Sequence, residues 1–182
     1  TTFFALVIFS MGLNAQVFSE NFENGLPADW TMSGSFSVGV FNSFASQYFA
    51  PGSHTTFVGV NDDALGAGGN GDGRLETSMI DLTALAADEI AVLTMESYFL
   101  NGDYQGGDET AKVLYSADAG ETWTEVFDAE GTVNADGTAI LWNRANIVLP
   151  EAGGNVIQLQ FAYRDGGQWN YGVGIDNVAI NS

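Results

Sequence analysis

The fold class is decided by the stretch Val156–Tyr163, which reads VIQLQFAY. Its bulky apolar residues occupy every second position, so in an extended chain they share one face, while Gln158 and Gln160 lie on the other. A strand with this alternation is buried on one face only, which is typical of antiparallel sheets. The stretch therefore predicts an antiparallel sheet whose apolar face packs against a second layer.

Similar short runs continue along the chain, separated by glycine, asparagine and aspartate. Only Asp81–Glu89 has the pattern of a turn or a short helix. About ten strands and almost no helix predict an all-β fold, an antiparallel β-sandwich. The predicted strands are Val17–Phe22, Ser35–Phe41, Thr55–Val60, Arg74–Met79, Ile90–Leu100, Ala111–Ser116, Thr122–Phe127, Thr138–Leu149, Val156–Arg164 and Tyr171–Ile180.

The length and the N-terminal pattern define the domain organisation. The chain has 182 residues, of which 46% are hydrophobic and 15% charged, and this is the composition of one globular domain. The apolar run Phe3–Leu13 ends shortly before Ala15, where the sequence becomes polar. This pattern predicts a signal peptide over residues 1–15 and a single β-sandwich domain over residues 16–182. We therefore expect a secreted or cell-surface protein.

The charge balance is strongly acidic, with four Lys and Arg against 23 Asp and Glu and a net charge of −19. Phosphate backbones and anionic membrane surfaces are repelled by such a chain, so neither nucleic acid nor a membrane is an expected partner. The charge suits divalent cations, although an acidic surface also serves solubility alone. There is no cysteine, which excludes disulfides and thiol catalysis.

Signals of catalysis are weak. His54 is the only histidine and lies in the loop-like stretch PGSHTT, so we interpret it as a solvated loop residue. A Ser-His-Asp triad would need this residue, and a single histidine excludes His-rich zinc sites. A pair of carboxylates for glycoside hydrolysis is not excluded, since the chain has 23 Asp and Glu residues. We predict that the protein is not an enzyme, with a small glycosidase as the least favoured alternative.

An Asp-box pattern, S-x-D-x-G-x-x-W, covers Ser116–Trp123. Asp118 is placed to accept hydrogen bonds from backbone amides of a turn, and Gly120 is suited to a positive φ. Sialidase-type propellers repeat this motif once per blade, whereas the chain has one copy. The motif therefore predicts a stabilised hairpin rather than a sialidase site.

The stretch Gly172–Ile180, GVGIDNVAI, has the pattern of a buried strand with an acid, Asp176, in its middle. A lone carboxylate in a packed core is costly unless a partner compensates it, and the chain has only four Lys and Arg to offer. The chain termini of a domain commonly lie close together, so we expect Glu20 or Glu23 near Asp176. Two adjacent carboxylates repel each other unless a cation lies between them. The pattern favours a bound cation, and calcium suits these oxygen ligands.

Aromatic residues provide a second functional hypothesis, a carbohydrate-binding module. Sugars stack on aromatic faces while neighbouring amides and acids bind their hydroxyl groups. Trp169 lies in the loop-like stretch DGGQWNY and is the first candidate for an exposed ring. The other candidates are Tyr171, Trp142, Tyr104 and Tyr48. A buried or rim position is the alternative interpretation for each of them.

Four segments of the chain, in order, are similar to a known family pattern. Phe18–Trp30 resembles an opening F-E-x-G-x-P-x-x-W, and Leu75–Leu85 an L-x-S/T-P-x-I-D-L strand. Asp108–Val126 resembles an Asp-box hairpin, and Asn155–Ile180 a closing strand pair that ends in A-I-D-D-V. Together they resemble the cleaved-adhesin or choice-of-anchor J domains of bacterial surface proteins, which are related in fold to MAM domains.

The resemblance implies a jelly-roll β-sandwich that is secreted, non-catalytic and attached to other domains. It implies structural calcium, with Glu23 and Asp176 as the first ligands and Asp63 and Asp108 after them. Asn177 stands where the family usually has aspartate, which removes one charge from such a site. The implied partner is an extracellular protein or a polysaccharide.

Overall fold

Twelve strands and two short helices form in the computed structural model, which describes residues 16–52, 54–100, 106–129 and 142–182. Neither helix exceeds four residues, and no helix in the described ranges is long and apolar enough to cross a membrane. The strands are β1 (Gln16–Glu20), β2 (Thr31–Gly34), β3 (Ser37–Gly39), β4 (Phe57–Asn61), β5 (Gly73–Glu76), β6 (Ile80–Asp81), β7 (Ala91–Phe99), β8 (Thr110–Ser116), β9 (Thr124–Asp128), β10 (Asn143–Leu149), β11 (Val156–Arg164) and β12 (Gly172–Asn181), and the helices are α1 (Phe41–Phe44) and α2 (Asp62–Leu65).

The strands form two antiparallel sheets that face each other. Sheet 1 has the order β10-β7-β12-β4-β3, with β1 also paired to β12. Sheet 2 has the order β2-β5-β11-β8-β9, with β6 also paired to β11. The predicted all-β sandwich is confirmed.

The predicted strands agree well with the observed ones. β11 has the bounds predicted from its alternation, and each of the other nine predicted strands overlaps an observed strand. Two short strands, β2 and β6, were not predicted. The segment Asp81–Glu89 forms turns after β6 and no helix. The predicted signal peptide, residues 1–15, lies outside the described residues.

The main core lies between the two sheets. In β11 the alternating residues Ile157, Leu159 and Phe161 are fully buried. Each contributes about 1.5–3 kcal/mol by removing apolar surface from water. Val58 and Ile175 of sheet 1 belong to the same buried cluster. The alternation therefore fixes which face of each strand points inward.

A second apolar cluster, the outer cluster, covers the outer face of sheet 1. Phe57 of β4 and Tyr98 of β7 point outward, because their chain neighbours Val58 and Phe99 point into the main core. The chain between β3 and β4, which contains α1, contributes further rings to the same cluster. The buried members of the outer cluster are Phe44, Phe49, Phe57, Tyr98 and Leu100.

The central strand β12 changes its neighbour halfway along. Its first part pairs with β4 and its last part with β1, while β7 pairs with it on the other side. A bulge between Asp176 and Ala179 accommodates the change, and Asn177 adopts a φ of 50° there, which asparagine tolerates better than most residues. Since Ile175 points into the main core, Asp176 points to the outer face of sheet 1.

Candidate functional site

An aromatic pocket of about 330 Å³ opens beside the outer cluster. It is lined by Tyr48, Asp63, Trp169, Asn170 and Tyr171. The Tyr48 side chain is 53% exposed, and the other two rings are half-buried. Tyr171 also packs against the outer cluster, so the pocket has a packed base and open aromatic walls.

Asp63, in α2, holds the three aromatic residues in place. Its carbonyl oxygen accepts a hydrogen bond from Trp169 Nε1 at 2.9 Å. Its carboxylate accepts one from the Tyr48 N–H at 3.0 Å, and its own N–H donates to the Tyr171 carbonyl at 3.1 Å. A pocket organised in advance loses less conformational entropy when a ligand binds. The arrangement is therefore suited to binding.

Buried carboxylates fix the loop behind the pocket. The Asn170 N–H donates to Asp62 Oδ2 at 2.6 Å, and the Asn170 side-chain amide donates to the Asp165 carbonyl at 2.7 Å. Glu109 Oε1 accepts a hydrogen bond from the Tyr171 N–H at 3.2 Å. These contacts join the loop to α2 and to the start of β8, so its aromatic residues keep one position.

Asp62 is 1% exposed, and this burial raises the pKa of its carboxyl group to about 6. The Asn170 N–H opposes the shift by stabilising the ionised form. The charges of Asp165, Asp63 and Asp72 raise the pKa further. Asp62 therefore gains a proton in mildly acidic solution, while its place behind the pocket keeps it from direct contact with a ligand.

The pocket combines aromatic faces with polar edges. The rings of Tyr48 and Trp169 offer apolar faces, and the Asp63 carboxylate offers a hydrogen-bond acceptor beside them. A ligand that matches this lining has an apolar ring face and hydroxyl groups at its rim. Three of the predicted ligand-binding residues, Trp169, Tyr171 and Tyr48, therefore lie in one pocket.

Trp142, another predicted ligand-binding residue, does not lie with them, and Tyr104 lies outside the described residues. Its ring stacks on the His54 ring with centroids 3.9 Å apart and an angle of 16°, and it packs against Phe57. Its Nε1 donates to the Pro51 carbonyl at 2.8 Å. Trp142 therefore packs at the margin of the outer cluster, and its ring is not part of the aromatic pocket.

Asp176 has a partner that the sequence did not suggest. Its side chain is fully buried, and its Oδ2 lies 2.8 Å from His54 Nε2. The contact lacks hydrogen-bond alignment and is an ion pair only when His54 is protonated. Thr55 Oγ1 donates to Oδ2 at 3.3 Å, and the Asn177 N–H donates to Oδ1 at 2.7 Å. The interpretation of His54 as a solvated residue is wrong, since its side chain is only 16% exposed.

A second carboxylate lies beside this pair. Glu96 of β7 is directly opposite Asp176 in the strand register, and its Oε2 lies 3.6 Å from His54 Nε2. Burial raises the pKa of Asp176, while the Asn177 N–H, the His54 charge and the Thr55 hydroxyl lower it. Like charges in opposite positions repel each other, and a protonated His54 reduces this repulsion.

The four predicted calcium ligands lie in three places. Asp63 belongs to the aromatic pocket, and Asp108 is an exposed residue on sheet 2. Glu23 Oε1 accepts a hydrogen bond from the Thr56 N–H at 3.1 Å, next to the threonine that donates to Asp176. In the described parts of the chain, no three Asp, Glu or His side chains are grouped so that they could hold a metal ion. Glu23 and Asp176 are thus linked through the adjacent residues Thr56 and Thr55, and calcium binding by the predicted ligands stays a prediction.

The Asp-box forms the predicted hairpin turn. Asp118 Oδ1 accepts hydrogen bonds from Ser116 Oγ at 2.7 Å and from the Thr122 N–H at 2.9 Å. Bonds from the Thr122 and Ser116 side chains, followed by the Thr122 N–H, lower the pKa of Asp118 to about 2. Gly120 adopts a φ of 85°. These contacts are local, so the motif stabilises the turn between β8 and β9.

No protein-family model matches this sequence, and no curated protein matches it either. The structure is similar to the K1 cleaved adhesin domain of Lys-gingipain from Porphyromonas gingivalis W83, with a TM-score of 0.61 and 22% identity over 90% of this chain and 96% of that domain. It is also similar to TmCBM61, solved in complex with beta-1,4-galactotriose, with a TM-score of 0.54 and 17% identity over 88% and 92% of the two chains. A cyclase from Fischerella sp. TAU has a TM-score of 0.51 and 16% identity over 90% and 87%.

These similarities establish the shared fold. The predicted likeness to cleaved-adhesin domains is confirmed at the level of the fold. The same fold is found in an adhesin domain, a sugar-bound module and a cyclase, so function has to be argued from the site.

Proposed function

We propose that the protein is a non-catalytic binding module that acts outside the cell and holds a carbohydrate in the aromatic pocket. The observation that carries the proposal is the convergence of Tyr48, Trp169 and Tyr171 on one pocket through Asp63. A sugar ring has an apolar face for such rings and hydroxyl groups for the neighbouring carboxylate. A neutral glycan also avoids the repulsion that a chain of net charge −19 exerts on anions.

Binding without catalysis is supported by the positions of the two carboxylates of α2. Asp62 is buried behind the backbone of the loop, and its Oδ2 accepts the Asn170 N–H. Asp63 Oδ2 accepts the Tyr48 N–H. Glycoside hydrolysis requires two carboxylates on opposite sides of a scissile bond, and Asp62 faces no such space.

A glycan array followed by isothermal titration calorimetry tests this function. The calorimetry uses beta-1,4-galactan and xylan oligosaccharides, together with any array hit. We expect Trp169→Ala to weaken binding at least tenfold, since removal of one stacking ring forfeits more than about 1.4 kcal/mol. Trp123→Ala is the matched control, because it removes a half-buried tryptophan from the Asp-box hairpin. The absence of any glycan ligand, or equal affinity in Trp169→Ala, contradicts the proposal.

We also propose that calcium binds between Glu23 and Asp176. The donor chemistry supports it, since the two carboxylates bind adjacent residues, Thr55 and Thr56, whose hydroxyl groups add further oxygens. His54 competes with the ion, because its ring lies against Asp176 Oδ2. A ligand of the folded state at a hundred times its Kd adds about 2.7 kcal/mol of stability.

Thermal unfolding in EDTA, calcium or magnesium tests the calcium site. We expect calcium to raise the Tm of the EDTA-treated protein, and magnesium to raise it less. Glu23→Gln, at an exposed position, should reduce the calcium effect without preventing folding. An unchanged Tm on calcium addition contradicts this proposal and leaves the carbohydrate proposal unaffected.

A further inference from the structure

A groove of about 930 Å³ crosses the outer face of sheet 2, on the side opposite to the main core. It is lined by residues from β2, β5, β8, β9 and β11 and by the turn that follows β11. Three of the four Lys and Arg residues of the chain lie in it, namely Arg74, Lys112 and Arg164. We call it the basic groove.

The strand register explains how these residues meet. Ala162 of β11 pairs with Arg74 of β5 on one side and with Lys112 of β8 on the other. Paired residues in an antiparallel sheet point to the same face, and so does Arg164, two positions further along β11. Arg74 and Arg164 are therefore diagonal neighbours, which in antiparallel pairs lie about 7–8 Å apart. The small Ala162 side chain leaves room for the groove between the cations.

Lys112 and the two arginines differ in their partners. Lys112 Nζ lies 2.9 Å from Glu125 and 3.1 Å from Asp128, so its charge is compensated. Arg74 and Arg164 are exposed, and neither has a carboxylate within 4.0 Å among the described residues. Acids outnumber bases by 23 to 4 in this chain. Acids are therefore abundant, and yet these two adjacent guanidinium groups have no ion-pair partner among the described residues.

The two acids closest to Arg74 in the sequence bind elsewhere. Asp72 Oδ1 accepts the Asp165 N–H at 3.1 Å, and Glu76 Oε1 accepts the side-chain amide of Gln160 at 2.7 Å. Asp72, Asp108 and Glu125 also line the groove, and among the described residues none of them forms an ion pair with either arginine. The two guanidinium groups thus stay available to an external anion.

We propose that the basic groove binds an acidic polysaccharide and that an anionic group of the glycan lies between Arg74 and Arg164. The planar guanidinium group presents paired donors that match carboxylate and sulfate oxygens. The groove crosses five strands, about 19 Å at the usual strand spacing, which is the extent of several sugar rings rather than of one small ion. Thr110 lines the same groove and adds a hydroxyl group for the uncharged part of the glycan.

A glycan fits this surface better than an acidic peptide does. Extended peptides commonly add to the edge of a sheet, but β5, β11 and β8 are paired on both sides. The described lining also offers no exposed aromatic ring to anchor a peptide side chain, since its one aromatic residue, Tyr163, is 1% exposed. The proposal does not rest on the aromatic pocket, which is lined by different residues.

The experiment compares the binding of polygalacturonate, dextran sulfate and uncharged dextran by calorimetry at about 0.15 M salt. At this ionic strength the Debye length is about 8 Å, so the repulsion from distant acids is screened. We expect binding of at least one anionic polymer and none of dextran. Binding of polygalacturonate alone identifies a carboxylate ligand, whereas binding of dextran sulfate identifies a sulfate as a ligand.

The variants assign the binding to the groove. We expect Arg164→Gln to weaken binding at least fivefold and the double variant R74Q/R164Q at least tenfold, as expected for lost charge-assisted hydrogen bonds. Arg144→Gln removes the same charge from an exposed position on β10 of sheet 1 and should leave binding unchanged. Failure of both anionic polymers to bind, an unchanged R74Q/R164Q variant, or an equal loss in R144Q overturns the proposal. Trp169→Ala should not affect this binding, which separates the groove from the aromatic pocket.

Discussion

The outer faces of the two sheets differ in the side chains that point outward: those of sheet 1 are largely apolar, whereas those of sheet 2 are small or charged. The outward positions of sheet 1 include Phe57, Gly174 and Tyr98, and rings from the chain between β3 and β4 cover them. The outward positions of sheet 2 include Ala162 and Arg74, and nothing in the described residues covers them. A face with apolar outward residues is thus closed by its own chain, whereas a face with small and charged residues remains open to a ligand.

Specific contacts link the covered face of sheet 1 to the aromatic pocket and to Asp176. Gly174 gives room to Trp142, since a Cβ atom at this position would lie 2.7 Å from the indole ring. His54 stacks on that ring and reaches Asp176. The outer cluster therefore encloses a charge contact at one border and supports the aromatic pocket through Tyr171 at another. The covered face stabilises a site, whereas the open face is itself a candidate site.

The largest predicted effect tests whether the outer cluster is a true second core. Phe57 is fully buried, with its ring centroid 4.5 Å from that of Phe44. We expect Phe57→Ala to lower the free energy of unfolding by about 3–5 kcal/mol, because it removes a large ring and leaves a cavity. Urea denaturation measures the loss. Thr110→Ala, on the open face, should stay within about 0.5 kcal/mol. Similar losses in both variants would remove the distinction between the two faces.

The next effect concerns the charge contact under the covered face. His54→Ala leaves Asp176 buried opposite Glu96 without the imidazole that lies 2.8 Å from its Oδ2. We expect a loss of about 3 kcal/mol in EDTA, since an uncompensated buried charge is strongly destabilising. The double variant H54A/D176N should recover part of the loss, because it removes the charge that needs a partner. A neutral effect of His54→Ala shows that the carboxylate is stabilised by its other hydrogen bonds alone.

A pH-dependent effect is expected at Asp62, behind the aromatic pocket. Burial raises its pKa from 3.8 to about 6, so the folded state binds the proton more tightly than the unfolded state. The resulting stabilisation is complete below pH 3.8 and is lost as the pH rises through about 6. In Asp62→Asn, the difference in unfolding free energy between pH 4 and pH 7 should shrink by about 2–3 kcal/mol.

The control for this titration is Asp88→Asn, which removes an equal charge from an exposed turn. It should leave the pH dependence close to that of the parent protein. Denaturation series at several pH values give both results. Equal pH profiles for Asp62→Asn and the parent protein contradict the assignment of the titration to Asp62.

The fold could be predicted because the alternation of apolar and polar residues within each strand is visible in a short stretch of sequence. Alternation in Val156–Arg164 fixed a strand, its apolar face and the antiparallel class, and all three are observed. The strands β2 and β6 were missed because four and two residues are too few to show a period. The cover of sheet 1 was missed as well, since the aromatic residues of a connecting segment do not reveal which face they will cover.

The sites could be predicted only in part, because they depend on contacts between distant segments. Trp169 and Tyr171 were identified from a loop-like context, whereas the contacts by which Asp63, a predicted metal ligand, anchors the pocket were not foreseen. His54 meets Asp176 across most of the chain, and no local pattern indicates this contact. Arg74 and Arg164 became neighbours only through the register of β5 on β11.

The smallest predicted effect concerns the hairpin at the edge of the open face. Asp118 is solvent-exposed, and its contacts stay within the turn between β8 and β9. We expect Asp118→Ala to lower the Tm less than any other destabilising variant above and to accelerate amide hydrogen exchange at Thr122, whose N–H loses its acceptor. Asp118→Asn retains an oxygen acceptor, so its Tm should lie between that of the parent protein and that of Asp118→Ala. A Tm loss as large as that of Phe57→Ala would mean that the open face, like the covered one, depends on a cooperative cluster rather than on local contacts.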